Sequence, residues 1–230
     1  MAVEPEFKFI GKGLYSLREA RRLTGVPGPT LTRWVKGYAR RRKGEQIVYD
    51  PLLAPSLPQL DEQIALSFRD LIELRFINRL RELKVPWSEI KATIEAARGL
   101  LDTDYPFGTR RFATDGRRLF SEVVDRPGFL LRLRTNQITF DRLFSPNLYS
   151  EIEFEKDEAV RWRPEAGRRF VVLDPRRSFG KPILDEHGIP TAVLASAVRA
   201  EDSIERVADW FELPDDAVQA AVDFERKLAA

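Results

Sequence analysis

The amino-acid sequence predicts an α+β fold in which helices predominate. Apolar residues recur at helical spacing through most of the first hundred residues and again after residue 190, whereas the segment between contains short runs that alternate with period two. The 230 residues are 43% hydrophobic and 32% charged, a composition typical of one large or two modest globular domains. We predict a mostly helical domain at residues 1–125, a β-rich connecting segment at 126–173 and a compact helical domain at 174–230.

The composition excludes several classes of site. The chain has no cysteine and a single histidine, His187, which removes disulfides, thiol nucleophiles, Cys/His zinc sites and most Ser-His-Asp arrangements. The first six residues contain acids where a signal peptide requires bases, and no stretch longer than twelve residues lacks Asp, Glu, Lys and Arg. We therefore expect a cytoplasmic protein that needs no cofactor and does not associate with membranes.

Charge is distributed unevenly along the chain. Residues 1–50 contain eleven Lys and Arg against five Asp and Glu, a net charge of +6, whereas residues 199–230 contain four against nine, a net charge of −5. The basic end includes the run 40–43, which consists of three arginines and a lysine. Such a run binds polyanions by neutralising phosphates and releasing counterions, so nucleic acid is the expected partner of this end.

The first helix is predicted from its capping residues. Ser16 and Glu19 have the spacing of a capping box, in which the serine hydroxyl accepts from the third helical amide and the glutamate reaches back. The helix should therefore begin at Leu17. It should end near Gly25, a residue that readily adopts positive φ.

A second short helix follows at once. Residues 26–28 form a tight connector, and Pro29 then stands in the first turn of a helix that reaches Lys36. Leu31, with Trp34 or Val35, can face the first helix. The pair is a helix-turn-helix, and its outward polar residues would read base edges: Thr30, Thr32, Arg33 and Lys36.

The residues after the second helix predict a wing. Gly37 and Tyr38 lead into the basic run, and residues 46–49 then have strand character. The basic side chains of this wing could contact phosphates beside the groove. The full set of predicted DNA-binding residues is Ser16, Arg18, Thr30, Thr32, Arg33, Lys36, Tyr38, Arg40, Arg41, Arg42 and Lys43.

This region resembles the winged helix-turn-helix of the MerR-like superfamily. The resemblance lies in residues 15–20, 23–26 and 31–34, and it extends through a third helix at 68–83 and the next turn and helix at 84–90. Apolar periodicity independently predicts both later helices. The chain lacks the long heptad-bearing helix with which MerR regulators dimerise and lacks cysteines for a metal effector, which disfavours a metal- or drug-sensing regulator.

The middle of the chain predicts a small antiparallel β segment. Residues 110–113 and 117–120 flank an Asp-Gly turn and predict one hairpin, while 151–155 and 160–163 predict a second to which 170–173 could add a strand. Alternation with period two places three acids opposite arginines: Glu151, Glu153 and Glu155. Charge pairing with these arginines is a more plausible role for the acids than a metal or acid/base site.

The carboxy-terminal segment predicts a second helix-turn-helix shape. After a turn-rich stretch at 174–183 come a helix at 192–198, a helix capped by Asp202 and Glu205, and a last helix that starts at 213–216. The last helix opens with two aspartates, which would repel phosphates. We expect this segment to make protein contacts, with self-association favoured.

The carboxy-terminal segment resembles the small antitoxin-associated domain of VapB-like antitoxins from bacterial toxin-antitoxin pairs. The resemblance is carried by residues 180–183, 189–191, 203–208 and 216–221. It implies an antitoxin that neutralises a cognate toxin, a PIN-like ribonuclease, and that represses its own operon by binding operator double-stranded DNA. Reading a palindrome would require a homodimer.

Two other functions remain open. A stand-alone MerR-like transcriptional regulator would have the same amino-terminal domain and no toxin. A carboxylate-metal nuclease could use Asp102, Asp104 and Asp115, but these acids lie in a predicted loop, and His187 beside a glycine is typical of a turn. We therefore do not expect an enzyme.

Overall fold

A computed structural model describes residues 9–42, 44–113, 149–165 and 170–229. The chain forms two units: residues 16–150 with 154–159, here called the helix-turn-helix unit, and residues 1–15, 151–153 and 160–230, here called the carboxy-terminal unit. Helices predominate and the strands form small antiparallel pairs, which confirms the predicted α+β class. The predicted boundary at residue 125 lies outside the described residues, so the division into three segments stays a prediction.

The helix-turn-helix unit contains two short helices, a hairpin and two longer helices. Strand β1 (Tyr15–Ser16) leads into it. Its elements are α1 (Leu17–Thr24), α2 (Gly28–Lys36), β2 (Tyr38–Arg42), β3 (Glu45–Tyr49), β4 (Ala65–Leu66), α3 (Phe68–Glu82) and α4 (Trp87–Leu101).

The local signals at α1 are confirmed. The amide of Glu19 donates to the Ser16 hydroxyl at 3.2 Å, and the Ser16 amide donates to the Glu19 carboxylate at 2.9 Å. Gly25 ends α1 at φ 70°, and a proline occupies the first turn of α2. A second capping box, between Ser67 and Asp70, starts α3.

Helix α3 forms the centre of the core of this unit. Phe76 stacks on Phe107 with ring centroids 4.1 Å apart, and Phe112 meets both rings edge to face. The carboxylate of Glu73, only 1% exposed, accepts a hydrogen bond from the Gly108 amide at 2.9 Å. Burial raises the pKa of Glu73 to about 8.

The predicted hairpin at 110–120 is wrong in its first strand, because residues 110–113 are helical. The Thr109 hydroxyl accepts from the Phe112 amide at 3.1 Å, as at a helix N-cap. This turn places Phe112 in the aromatic core. The burial of its ring there outweighs the strand propensity of the sequence. The predicted turn and second strand lie outside the described residues.

The second predicted hairpin is present as β5 (Ile152–Glu155) and β6 (Glu158–Trp162). Arg163 binds Glu153 at 2.8 Å, and Arg161 lies 3.5 Å from the same carboxylate, so Glu153 faces arginines as predicted. The Glu151 carboxylate instead accepts from the Trp162 indole at 3.3 Å. Leu173 pairs with Trp162 through both backbone amides. Strand β7 (Val171–Val172) pairs with β8 (Ile183–Leu184).

Three helices complete the carboxy-terminal unit: α5 (Thr191–Glu201), α6 (Ile204–Phe211) and α7 (Asp215–Ala229). The predicted cap of α6 is wrong by one residue. Asp202 ends α5 at φ 53°, and the hydroxyl of Ser203 accepts from the Arg206 amide at 3.3 Å. The connection between the two helices is so short that Asp202 serves the first helix and Ser203 the second.

The amino-terminal strand is fixed to a turn at 178–181. The Tyr15 hydroxyl donates to the Gly180 carbonyl at 2.6 Å, and the Leu14 amide donates to the Phe179 carbonyl at 2.9 Å. Gly180 has φ 80°, and a Cβ there would lie 2.3 Å from the Tyr15 hydroxyl oxygen, so only glycine fits. None of the helices in the described ranges is long and apolar enough to cross a membrane.

Candidate nucleic-acid interface

Helix α2 presents one apolar face inward and one polar face outward. Leu31, Trp34 and Val35 are all buried, so the structure uses both of the residues that the sequence offered as alternatives. Three of the residues predicted to read bases are exposed on the other side of α2: Thr32, Arg33 and Lys36. Thr30 is half-buried and lies one turn before Trp34, at the edge of the apolar face.

Side chains of α3 and α4 contact both helices of the helix-turn-helix, α1 and α2. Trp34 stacks on Trp87 with centroids 5.7 Å apart, and the Arg81 guanidinium lies over the Trp34 ring at 5.5 Å. The side-chain amide of Asn78 donates to the carbonyl of Thr24, at the end of α1, at 3.1 Å. Sequence analysis missed these positioning residues, because a tertiary contact between helices leaves no local pattern.

A glycine joins α2 to the wing. Gly37 has φ 71°, and a Cβ there would lie 2.4 Å from the Tyr49 carbonyl oxygen and 3.1 Å from Pro51. Any side chain would therefore force the wing away from the end of α2. The close approach fixes the wing relative to the helix.

The wing is the antiparallel hairpin of β2 and β3. Tyr38 pairs with Tyr49, Arg40 with Ile47 and Arg41 with Gln46. Because side chains alternate along a strand, Tyr38 and Arg40 share one face of the ribbon and Arg41 lies on the other. The predicted phosphate-binding residues are therefore divided between two faces.

The wing arginines are available to a ligand. Arg40 and Arg41 are exposed, and neither forms an ion pair with any residue that the structure describes. The backbone of Arg42 continues β2. The prediction for Lys43 lies outside the described residues.

A row of aromatic and cationic side chains connects α2, the wing and α4. The Arg33 guanidinium lies over the Tyr38 ring at 5.6 Å, and Tyr38 stacks on Tyr49 with centroids 4.5 Å apart and planes 12° apart. The ammonium of Lys91 lies 5.9 Å from the centre of the Tyr49 ring. We call these four residues the Arg33–Lys91 stack.

Helix α1 contributes further cations. Arg18, one of the predicted DNA-binding residues, is exposed, while the Ser16 hydroxyl is engaged in the capping box. Arg21 is also exposed and was missed, although its spacing of three residues from Arg18 places both on the same side of the helix.

The arrangement suits binding more than acid/base or metal chemistry. Guanidinium, ammonium and hydroxyl groups bind phosphates and base edges. In the part of the chain that the structure describes, no group of three His, Cys, Asp or Glu side chains could hold a metal ion. Asp102 caps the end of α4 at φ 51°, and Asp115 lies outside the described residues.

Two helices joined by a tight turn, with a β wing that follows the second helix in the sequence, define a helix-turn-helix protein.

Two family models match the chain. One, described as "Putative DNA-binding HTH domain", matches residues 13–94. The other, described as "Protein of unknown function (DUF433)", matches residues 171–224.

Three proteins of Mycobacterium tuberculosis are similar to nearly the whole chain. "Putative antitoxin VapB45" is 28% identical over 225 residues, which cover 91% of this chain and 92% of that protein. "Uncharacterized protein Rv2308" is 25% identical over 226 residues, 95% of this chain and 92% of that protein. The crystal structure of Rv2018 superposes with a TM-score of 0.71 at 23% identity, covering 90% of this chain and 96% of that one, which establishes the fold.

Proposed function

We propose that this protein is a DNA-binding antitoxin that binds operator DNA, represses its own operon and neutralises a partner toxin. The observation that carries the DNA-binding part is the exposed polar face of α2 and the wing, where Arg33, Arg40 and Arg41 have no carboxylate partner among the described residues. The match to a DNA-binding domain at 13–94 and the similarity to an antitoxin-named protein support the same function.

The DNA-binding residues divide by role. Thr32, Arg33 and Lys36 are exposed on the outer side of α2, and Thr30 lies half-buried at its edge. These four residues are proposed to meet base edges in the major groove, as in a recognition helix. The residues proposed to position the protein on phosphates are those of the wing and α1, five cations and one tyrosine hydroxyl: Arg18, Arg40, Arg41, Arg42, Lys43 and Tyr38. A homodimer would place two such units on half-sites about 34 Å apart, as in other dimeric helix-turn-helix proteins.

We assign the toxin-binding part to the carboxy-terminal unit, the same segment for which the sequence favours self-association. Trp210 on α6 is 62% exposed, and tryptophan is enriched at the energetic centres of protein interfaces. The exposed acids beside it disfavour DNA at this surface: Asp209, Glu212, Asp215 and Asp216. The proposed partner is a PIN-like ribonuclease, and the protein itself acts as a regulator without a catalytic role.

Co-expression with the neighbouring open reading frame tests this function. The tagged protein is purified, the mass of the eluted assembly is measured, and the fraction is titrated with its own promoter DNA. We expect a small ribonuclease to co-purify, and its expression alone to arrest growth that co-expression restores. A lone dimer that shifts promoter DNA would instead support the stand-alone regulator.

A matched pair of variants tests the toxin-binding surface. Trp210→Ala removes the exposed ring and should weaken co-purification of the partner, whereas Trp210→Phe retains an aromatic group and should weaken it less. Because the ring is exposed, neither change should lower the thermal unfolding midpoint appreciably. Full recovery of the partner with Trp210→Ala would place the toxin elsewhere.

A further inference from the structure

The Arg33–Lys91 stack joins four residues from four different elements. Arg33 belongs to α2, Tyr38 and Tyr49 belong to the two wing strands, and Lys91 belongs to α4. We propose that this stack holds Arg33 in one orientation for reading a guanine in the major groove, with Tyr49 and Lys91 as positioning residues that do not touch DNA. The proposal rests on the proposed DNA-binding function.

The contacts of Arg33 leave its donors available. An aromatic ring attracts the guanidinium through its π-electrons and offers no carboxylate or carbonyl oxygen to its N–H groups. Within the described ranges, the Arg33 guanidinium has no hydrogen-bonded or ion-paired partner, and the side chain is exposed. A guanidinium in this state can donate two parallel hydrogen bonds to O6 and N7 of guanine, the commonest specific contact in the major groove.

Orientation before binding contributes to recognition. An unrestrained arginine loses much rotamer freedom when it binds a base, and that loss opposes association. Contact with Tyr38 restricts Arg33 before DNA arrives. The rotamer freedom that Arg33 loses on binding is then smaller, and its side chain populates fewer of the orientations that cannot bind guanine.

The rest of the stack fixes Tyr38 itself. Tyr38 lies directly opposite Tyr49 in the ladder, and their rings are nearly parallel. The half-buried Lys91 contacts the Tyr49 ring, and Gly37, which has no side chain, allows the Tyr49 backbone to lie against the end of α2. Tyr49 therefore lies between the end of α2 and the Lys91 side chain of α4, and it stacks on Tyr38 beneath Arg33.

The experiment measures discrimination between sequences. The full-length protein selects its preferred duplex from a random-sequence pool, and fluorescence anisotropy then gives the dissociation constants for that duplex and for a scrambled duplex of equal composition. Lys91→Ala should lower the ratio of the two constants about two- to fivefold, the size expected for an exposed cation–π contact, and change scrambled binding by less than about twofold. Arg33→Lys, which keeps the charge but not the planar fork, should lower the ratio about tenfold and relax the preference at one guanine.

Conservative variants separate positioning from other roles. Lys91→Arg keeps a cation over the ring and should retain the wild-type ratio, whereas Lys91→Gln should behave like Lys91→Ala. Arg199→Ala removes one positive charge from an exposed site on α5 and should leave the ratio unchanged. Thermal unfolding midpoints identify any variant that acts by destabilising the fold.

Three outcomes would overturn the proposal. Equal weakening of both duplexes by Lys91→Ala, with a shallower salt dependence, would make Lys91 a phosphate contact. An unchanged ratio in Lys91→Ala and Tyr49→Leu would show that the stack does not act on recognition. A wild-type protein that binds no duplex would refute the proposed DNA-binding function itself, which distinguishes that failure from the other two.

Discussion

The buried carboxyl of Glu73 makes the stability of the helix-turn-helix unit depend on pH. Burial raises the pKa of Glu73 from 4.5 to about 8 in the folded chain, so the folded state keeps a proton that the unfolded state releases above pH 4.5. The contribution of Glu73 to the free energy of unfolding should therefore be highest below pH 4.5, fall as the pH rises to about 8, and level off above it. At pH 7 the loss is on the order of 3 kcal/mol.

Glu73→Gln removes the contribution of Glu73 to this dependence, because glutamine mimics the protonated acid and can still accept from the Gly108 amide. The contribution of Asp70, whose pKa burial also raises, remains in the variant. The variant should match the wild type near pH 4.5 and exceed its stability by a few kcal/mol at pH 8. Hydrogen exchange of α3 peptides in urea, from pH 4.5 to 8.5, follows this unit alone. Glu95→Gln, at an exposed position of α4, is the control and should keep the wild-type slope. If the stability of α3 depends on pH in the same way in the wild type and in Glu73→Gln, the buried carboxyl of Glu73 is not the cause of the dependence.

Three further predictions concern the DNA-binding surface. Gly37→Ala places a Cβ 2.4 Å from the Tyr49 carbonyl oxygen, so it should destabilise the fold by about 1 to 3 kcal/mol and weaken binding to every duplex, as measured by thermal unfolding and anisotropy. Arg33→Ala should lose about 1 to 3 kcal/mol on the preferred duplex and relax base preference. Arg41→Ala should weaken binding to all sequences and reduce the salt slope by about one; equal losses from both arginine variants on every duplex would contradict the placement of α2 in the groove.

The helices could be predicted because their signals are local. Capping residues, a glycine at the end of α1 and a proline at the start of α2 all act within one or two turns, so neighbouring residues suffice to place these elements. The same logic failed at residues 110–113, where a short run before an Asp-Gly turn was predicted to be a strand. There the burial of Phe112 against Phe76, 36 residues earlier in the sequence, decides the local conformation.

The candidate site was predicted in part. Which residues of α2 face outward follows from helical periodicity, and basic residues in the wing are visible in the sequence. The partners that position them are not, because Lys91 and Trp87 reach the wing and α2 only after the chain has folded. The contact between Tyr15 and Gly180, which spans 165 residues, is equally invisible to local patterns.

Arginines that are paired with carboxylates within the fold differ from arginines that are free to bind a ligand. In the carboxy-terminal unit, Arg163 and Arg177 both bind Asp185, at 2.6 and 2.9 Å. Although burial acts to raise the pKa of Asp185, these two arginines hold it below its ordinary value, so the charges are already satisfied within the fold. Arg40 and Arg41 have no such partner in the described part of the chain. An unpaired, exposed guanidinium on a wing gives up hydration and rotamer freedom when it meets a phosphate, but it breaks no ion pair. Breaking the partly buried pairs of Asp185 would in addition cost stability, so the polyanion should bind the wing and leave the arginines of the carboxy-terminal unit in place.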